Sequence, residues 1–337
     1  MTTRARLEDA TASGPAIDPS RRRRTGPLLE RTVVVVALLA LVVVFSLAMP
    51  HTFFTFATVQ NVATTQAVLL VVALGLTVVL AAGDLDLSIA GVIGVTGIVN
   101  AQLAGVMGLP WPVAAGASLV LAVVIGLVNA LFIVRVRANA LIVTLAMGTL
   151  LTGVGSAVSN ATTLPAPASP LTAIVSATLL GIGYPFWFAV VLLVIAWYVI
   201  HQTPLGRSLY FTGEGRSAAR LIGIRVGAVR TVALVTSSVG AWAAGMVLLG
   251  QVGATQSGIG DPYLLTAYAA AFLGAATLTP GRFNPVGTFI GALLLAVGTI
   301  GLQLLGLASW VTAVFNGAVL ILAVGAAALF GSASRTR

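Results

Sequence analysis

Four carboxylates could do chemistry in this chain: Asp84, Asp86, Glu214 and Asp261. There are only eight acids in all, and the other four, Glu8, Asp9, Asp18 and Glu30, lie at the N-terminal end, in or beside a polar stretch. Asp84 and Asp86 sit in Ala82-Gly83-Asp84-Leu85-Asp86-Leu87-Ser88, between two strongly apolar runs. Acids at membrane depth are costly and mark functional positions. One reading makes Asp86 or Ser88 a helix cap, accepting a free N–H. A second makes the segment a discontinuous helix whose carboxylates offer paired acceptors to the hydroxyls of a polar cargo. Proton coupling would instead want an acid in mid-span with a shifted pKa, and these acids sit at span ends.

The remaining inventory excludes much. There is no cysteine, and the two histidines, His51 and His201, fall at opposite faces of the expected topology. Thiolate or histidine metal clusters, disulfides and thiol nucleophiles are therefore not expected, and no cofactor is implied. All seventeen basic residues are arginine. Without lysine there is no Walker A loop, so any ATP hydrolysis belongs to a separate polypeptide. An enzyme embedded in the membrane would need an acid, nucleophile or metal constellation that this inventory does not offer.

The elements that position these acids are apolar spans. Hydrophobic residues make up 58% of the chain and charged residues 7%, against about 25% charged in a soluble protein. Spans are expected near 32–49, 63–82, 88–106, 111–134, 139–159, 185–201, 231–250, 264–279, 285–304 and 311–330, each able to cross a core of about 30 Å, some with thinning or tilt. This is an all-α membrane protein of about ten helices with both termini cytoplasmic, since that count puts every arginine inside. Residues 1–30 and 333–337 read as cytoplasmic tails, the first disordered, and 31–332 as the transmembrane domain. The net charge of +9 is spread between spans, which suits orientation and lipid headgroup contact better than nucleic acid.

Two connections exceed a turn. The outer one, 160–184, is proline-bearing, with an apolar piece at 171–182. The inner one, 202–230, holds Arg207, Arg216, Arg220, Arg225 and Arg230 against a single Glu214. A short helix fits 216–222 between Gly215 and Gly223, with Ala218 and Ala219 small enough for close docking. The alternative is a solvated basic loop that only sets orientation. Polar side chains in or near the spans, including Gln66, Asn129 and Thr144, serve most often as interhelical hydrogen-bonders; with Asp84, Asp86 and Ser88 they are also the candidate lining of a pathway. A faint repeat relates Gly83-Asp84-Leu85-Asp86 to Gly281-Arg282-Phe283-Asn284, both joining an inward to an outward span.

These motifs resemble the permease subunit of bacterial ribose-type sugar ABC importers, within the larger branched-chain amino acid/sugar permease group. The resemblance runs from about Phe45 to Val324. It rests on Gly83 to Ile89, Gly126-Leu127-Val128-Asn129-Ala130, Ile142-Val143-Thr144-Leu145, Leu205-Gly206-Arg207 followed by Gly213 and Ala218 to Ile224, and Gly287 to Leu293 with Leu304-Leu305-Gly306. It departs at Leu264 after Tyr263, at Gly274-Ala275-Ala276-Thr277-Leu278, at Gly215, and in Asp84, an extra acid beside the matching Asp86.

The resemblance implies a type II-like ABC importer bundle in the bacterial inner membrane, paired with a second permease copy. It implies a partner ATPase with two cassettes and an extracytoplasmic sugar-binding protein. The family's coupling segment falls on 206–224, so Gly206, Arg207, Gly213, Glu214, Arg216, Ala218, Ala219, Arg220 and Gly223 are expected to engage the ATPase. Permeation of branched-chain amino acids or nucleosides, or ion-coupled transport by Asp84 and Asp86, are the competing expectations.

Overall fold

In the computed structural model, residues 27–166, 170–279 and 281–335 are described. The chain is built almost wholly of helices: α1 (Pro27–Ala48), α2 (Phe56–Thr65), α3 (Ala67–Ala81), α4 (Ile89–Ala101, continued by the π-helical Gln102–Val106), α5 (Trp111–Ala130, continued by Leu131–Arg135), α6 (Ala140–Val158), α7 (Pro170–Ser176), α8 (Tyr184–Gln202), α9 (Pro204–Glu214), α10 (Arg216–Leu221), α11 (Val226–Val252), α12 (Asp261–Ala275), α13 (Pro285–Leu304) and α14 (Ser309–Arg335). Most of the expected tail 1–30 lies outside the described residues. Helix α1 nevertheless begins at Pro27, and α14 runs on to Arg335 through most of the expected C-terminal tail.

Seven helices among the described residues are long and apolar enough to cross a membrane, and the α2/α3 pair, bent by 45°, makes an eighth. The expected ten also counted α1, whose apolar part is Thr32–Ala48, and α12, which has 15 residues. At 1.5 Å per residue, 15 residues span about 22 Å, short of a bilayer core of about 30 Å. Helix α12 is buried among its neighbours from Ala267 to Ala275 apart from Phe272, so protein rather than lipid sets its length.

Helix α3 occupies the centre: every residue from Ala67 to Ala81 except Val78 is buried. A helix apolar all round belongs in such a position. Its neighbours are α11, α12 and α13, with α4 and α5 packed on α11. The α3/α11 crossing is close because Gly75 meets Gly240 backbone to backbone; a Cβ on Gly75 would stand 3.1 Å from the Gly240 Cα. Without a hydrophobic drive between helices in lipid, such small-residue contacts supply the packing energy. Helices α6, α8 and α14 bury little of their surface and form the periphery.

The two ends of the bundle differ. One gathers Arg135, Arg137, the α9–α10 segment and Arg282, and contacts such as Gly227 against Val134 and Arg282 against Glu214 bring them together. At the other end β1 (Leu164–Pro165) pairs antiparallel with β4 (Ala254–Thr255), and β2 (Thr178–Leu179) with β3 (Ile182–Gly183). The outer connection is therefore structured, carrying α7 and two short ladders.

Candidate functional site

The site grows from the break between α3 and α4. Helix α3 ends at Ala81, and Gly83 just beyond its cap has a φ of +76°, the left-handed stop that glycine accommodates without a Cβ clash. The chain then runs through Asp84 to Ser88 before α4 begins at Ile89.

Asp84 is almost fully buried and holds two arginines. Arg230 Nε donates to Oδ2 at 2.6 Å and Arg230 Nη2 to Oδ1 at 2.8 Å, while Arg216 Nη2 donates to Oδ1 at 2.8 Å and to the Gly83 carbonyl at 2.9 Å. The Arg230 side chain is 9% exposed and the Arg216 side chain 42%. The bidentate inner pair is thus dry, and the outer one borders water.

Asp86 takes a different position, two residues on. Its Oδ1 accepts from Ser88 N at 3.0 Å and from Ser88 Oγ at 2.5 Å, and Asn129 Nδ2 donates to Ser88 Oγ at 2.9 Å. The Tyr268 hydroxyl accepts from Asp86 N at 2.9 Å. Asp86, Ser88 and Asn129 have no exposure. The Ser237 hydroxyl lies close enough to lower the carboxyl's proton affinity, yet Asp86 Oδ2, Asn129 Oδ1 and the hydroxyls of Ser237 and Ser238 have no aligned partner. Asp86, not Ser88, supplies the turn-closing acceptor; the Ser88 oxygen makes no cap hydrogen bond.

Burial pushes the Asp86 carboxyl up, against the hydrogen bonds from Ser88 and the influence of Ser237. A raised native pKa means that the folded chain binds more protons than the unfolded one, so stability from this group falls as pH rises through and above the usual carboxylate range. Asp86→Asn, neutral at every pH, is expected to be about 1–3 kcal/mol more stable than the native chain at neutral pH. That advantage should vanish as pH falls to the usual carboxylate range. Thermal unfolding of the detergent-solubilised protein across pH checks this; a pH-independent difference would contradict it.

The α9–α10 segment reaches both ends of this arrangement. Thr203 caps α9, accepting from Gly206 N at 3.4 Å and donating to Val199 O at 2.6 Å. Gly206 lies against the Ile200 backbone at the end of α8, and Gly213 against Ala81 O, with the Gly83 N 3.3 Å from where its Cβ would be. Arg216 then meets Asp84 as above. On the other side Glu214 Oε1 accepts from Arg282 Nη2 at 2.5 Å, Tyr210 OH donates to Phe283 O at 2.7 Å, and the Arg282 guanidinium lies 5.6 Å from the Tyr210 ring centroid.

The second break, 281–284, mirrors the first. Gly281 has a φ of +87°, and Asn284 Oδ1 accepts from Gly287 N at 2.6 Å to cap α13. Each of the two motifs of the faint repeat thus holds a left-handed glycine and an Asx acceptor, Asp86 closing the turn at Ser88 and Asn284 capping α13, and the α9–α10 segment bonds to both.

Beyond Arg216 the segment turns to solvent. Leu221 is 90% and Ile222 64% exposed, and Arg207, Ser217, Ala218, Arg220 and Arg225 are exposed with them. Ala219 is buried, and Gly223, with φ +85°, stops α10. The expected helix 216–222 is present as Arg216–Leu221.

The structure brings Asp84, Asp86, Ser88 and Asn129 into one region and joins it to Gly213, Glu214 and Arg216. Gln66 is half-buried at the α2/α3 joint, and Thr144 is buried on α6 with its hydroxyl donating to Ala140 O at 2.8 Å, one turn from Gly148, which packs against Leu87 and Ser88. Sequence reasoning missed Arg230, Tyr268, Ser237 and Ser238. Arg230 carried a usable signal, a lone cation opening a long apolar run.

The profile of a family described as branched-chain amino acid transport system / permease component matches residues 58–324. The chain is 33% identical to the ribose import permease protein RbsC of Escherichia coli (strain K12) over 310 residues, 90% of this chain and 95% of that one. It is 29% identical to the L-arabinose ABC transporter permease protein AraH of Azospirillum brasilense, over 92% of this chain and 91% of the relative. It is 32% identical to the autoinducer 2 import system permease protein LsrD of Photorhabdus laumondii, over 75% of this chain and 78% of the relative.

Proposed function

Since the chain belongs to the permease-component family of branched-chain amino acid transport systems, we propose that it is the membrane-spanning subunit of a binding-protein-dependent ABC importer carrying a sugar into the cytoplasm. It is a multi-pass cytoplasmic-membrane protein, and ATP hydrolysis in such importers resides on a separate subunit. A sugar cargo follows from the relatives that import ribose and arabinose. The family's own description keeps branched-chain amino acids as the second cargo.

One observation carries the mechanism: the α9–α10 segment is bonded to both helix breaks, by Arg216 to Asp84 and by Glu214 to Arg282. In our reading the arginine-bearing end is cytoplasmic, in keeping with the positive-inside bias. A two-cassette ATPase docks on Leu221, Ile222, Arg207 and Arg220. Its closure moves α9 against Gly83–Asp84 and Gly281–Phe283 together, re-aiming α4 and α13 with α3 as the fixed core. Asp86, Ser88 and Asn129, sealed in this conformation, then act as a polar gate near the cytoplasmic mouth. Ten crossings, a second permease copy across the pathway and an outer binding protein complete the assembly. Gln66 and Thr144 lie further along the proposed path.

Leu221→Asp combined with Ile222→Asp places two charges in the docking contact without touching the buried clusters. We expect membrane insertion to persist and co-purification of the ATPase subunit to be lost. Undiminished co-purification sinks the docking assignment. Thermal stabilisation of the cognate binding protein across pentoses, hexoses and branched-chain amino acids identifies the cargo.

A further inference from the structure

Helix α11 meets the α2–α3 span three times. At the arginine-bearing end Arg230 holds Asp84, and in mid-span Gly240 lies against Gly75. At the opposite end Gln251 Nε2 donates to the Thr64 carbonyl at 2.6 Å. This last contact falls at the joint where α2, ending at Thr65, meets α3 at 45°. The β2–β3 hairpin presses on α2 from another side: a Cβ on Gly183 would stand 2.8 Å from Thr64 Oγ1, and one on Gly181 2.6 Å from the Phe56 ring.

The residues of the span do not account for the bend. Sharp kinks arise at proline, at glycine/serine pairs, at π-bulges, or where a side chain enters the helix ladder. No proline, glycine or serine lies between Phe56 and Leu74. Thr65 Oγ1 bonds back to Asn61 O, a contact that bends helices slightly. Yet Thr77, Thr96, Thr144 and Thr152 make the same bond inside unbroken helices. What remains is Gln251, whose amide satisfies a carbonyl in the last turn of α2, where a helix end relies on outside partners. A bend imposed from outside can be released. Straightened, α2 and α3 would form one helix of about 39 Å, longer than a bilayer core of about 30 Å, and α2 would project from the face away from the arginines.

We propose that α2 is the outer gate of the pathway and that Gln251 is the residue that positions it. With Gln251 bonded to the Thr64 carbonyl the span is kinked and the gate shut; with the bond broken the span straightens and the gate opens. Because α11 also carries Arg230, the inner break and the outer joint are held by one continuous helix. What the motion serves rests on the importer reading above; the motion itself does not.

The chain has no cysteine, so Ala63→Cys supplies a single thiol on the buried side of α2, at a position 5% exposed. Its rate of labelling by a water-soluble maleimide, on the full chain in lipid nanodiscs, reads how often α2 swings out. Gln251→Leu should raise that rate about fivefold, the weight of one net hydrogen bond. Gln251→Lys, a donor on a stem of similar length, should return it toward the native rate. Ala114→Cys, at a fully buried position in the first turn of α5, controls for general loosening and should label slowly in both variants. Should Gln251→Leu not insert, Gln251→Met, closer in shape and equally without a donor, takes its place. An unchanged rate at position 63 overturns the proposal, as do equal rises at 63 and 114, or a Gln251→Lys variant that labels as fast as Gln251→Leu. No transport is measured, so the gate and the importer reading can fail separately.

Discussion

Asp84→Asn is expected to destabilise the folded chain by about 3–5 kcal/mol, the cost of leaving a buried cation unpaired. The two pairs on this carboxylate are unequal. Arg230 is held bidentately in a dry environment, and without Asp84 its charge has no counter-ion among the described residues. Arg216 is 42% exposed and recovers water; Arg216→Ala should cost no more than about 1 kcal/mol. A loss of 3–5 kcal/mol is a large share of the 5–15 kcal/mol typical of a folded domain. Thermal unfolding in detergent and the yield of folded protein read this difference. A further comparison isolates its cause: Asp84→Leu with Arg230→Met removes both charges together. That pair should regain most of the stability, although uptake should stay low because Arg216 then keeps only the Gly83 carbonyl at the break. Equal destabilisation by Asp84→Asn and Arg216→Ala would contradict the assignment of Arg230 as the principal partner.

The second large effect concerns geometry. Gly213→Val is expected to reduce substrate uptake about tenfold or more, the equivalent of about 1.4 kcal/mol lost from coupling. A side chain there meets the Ala81 carbonyl and the 83 backbone, and neither can rotate away as a flexible side chain would. Overpacking of this kind costs about 1–3 kcal/mol, which is relieved by lifting α9 off the break. The Arg216–Asp84 contact would then lengthen. Because Leu221 and Ile222 are untouched, the ATPase should still bind and hydrolyse ATP, now without driving uptake. Gly206→Val strikes the Ile200 backbone in the α8–α9 turn instead and should impair folding of the segment itself. Uptake and ATPase activity measured together distinguish the two. Normal uptake by a well-folded Gly213→Val variant would show that the close approach has no part in coupling.

The sequence made the spans readable because apolar length and arginine placement are one-dimensional signals. The α9–α10 segment was readable too: Pro204, Gly206, Gly215 and Gly223 punctuate it, and its helix falls where those residues require. The crowding at Gly206 and Gly213 explains why glycine stands at both. Partnerships across the chain were not readable. Asp84 and Arg230 are separated by 146 positions and Glu214 and Arg282 by 68, and nothing local in either residue names its partner. Asp84 and Asp86 also looked alike as a pair of acids in one break. The fold assigns them opposite environments, one neutralised by two guanidiniums and one buried with only hydroxyl, amide and backbone neighbours. Helix α12, 15 residues long and largely buried among other helices, is shorter than the span expected at 264–279.

The most direct test is uptake of labelled sugar into proteoliposomes holding the purified chain, with the ATPase subunit and binding protein added or withheld. We expect accumulation only with all components and ATP inside the compartment that faces the arginine-bearing end, and its disappearance with Leu221→Asp/Ile222→Asp. Accumulation by the chain alone, driven by an ion gradient and indifferent to ATP, would contradict the account.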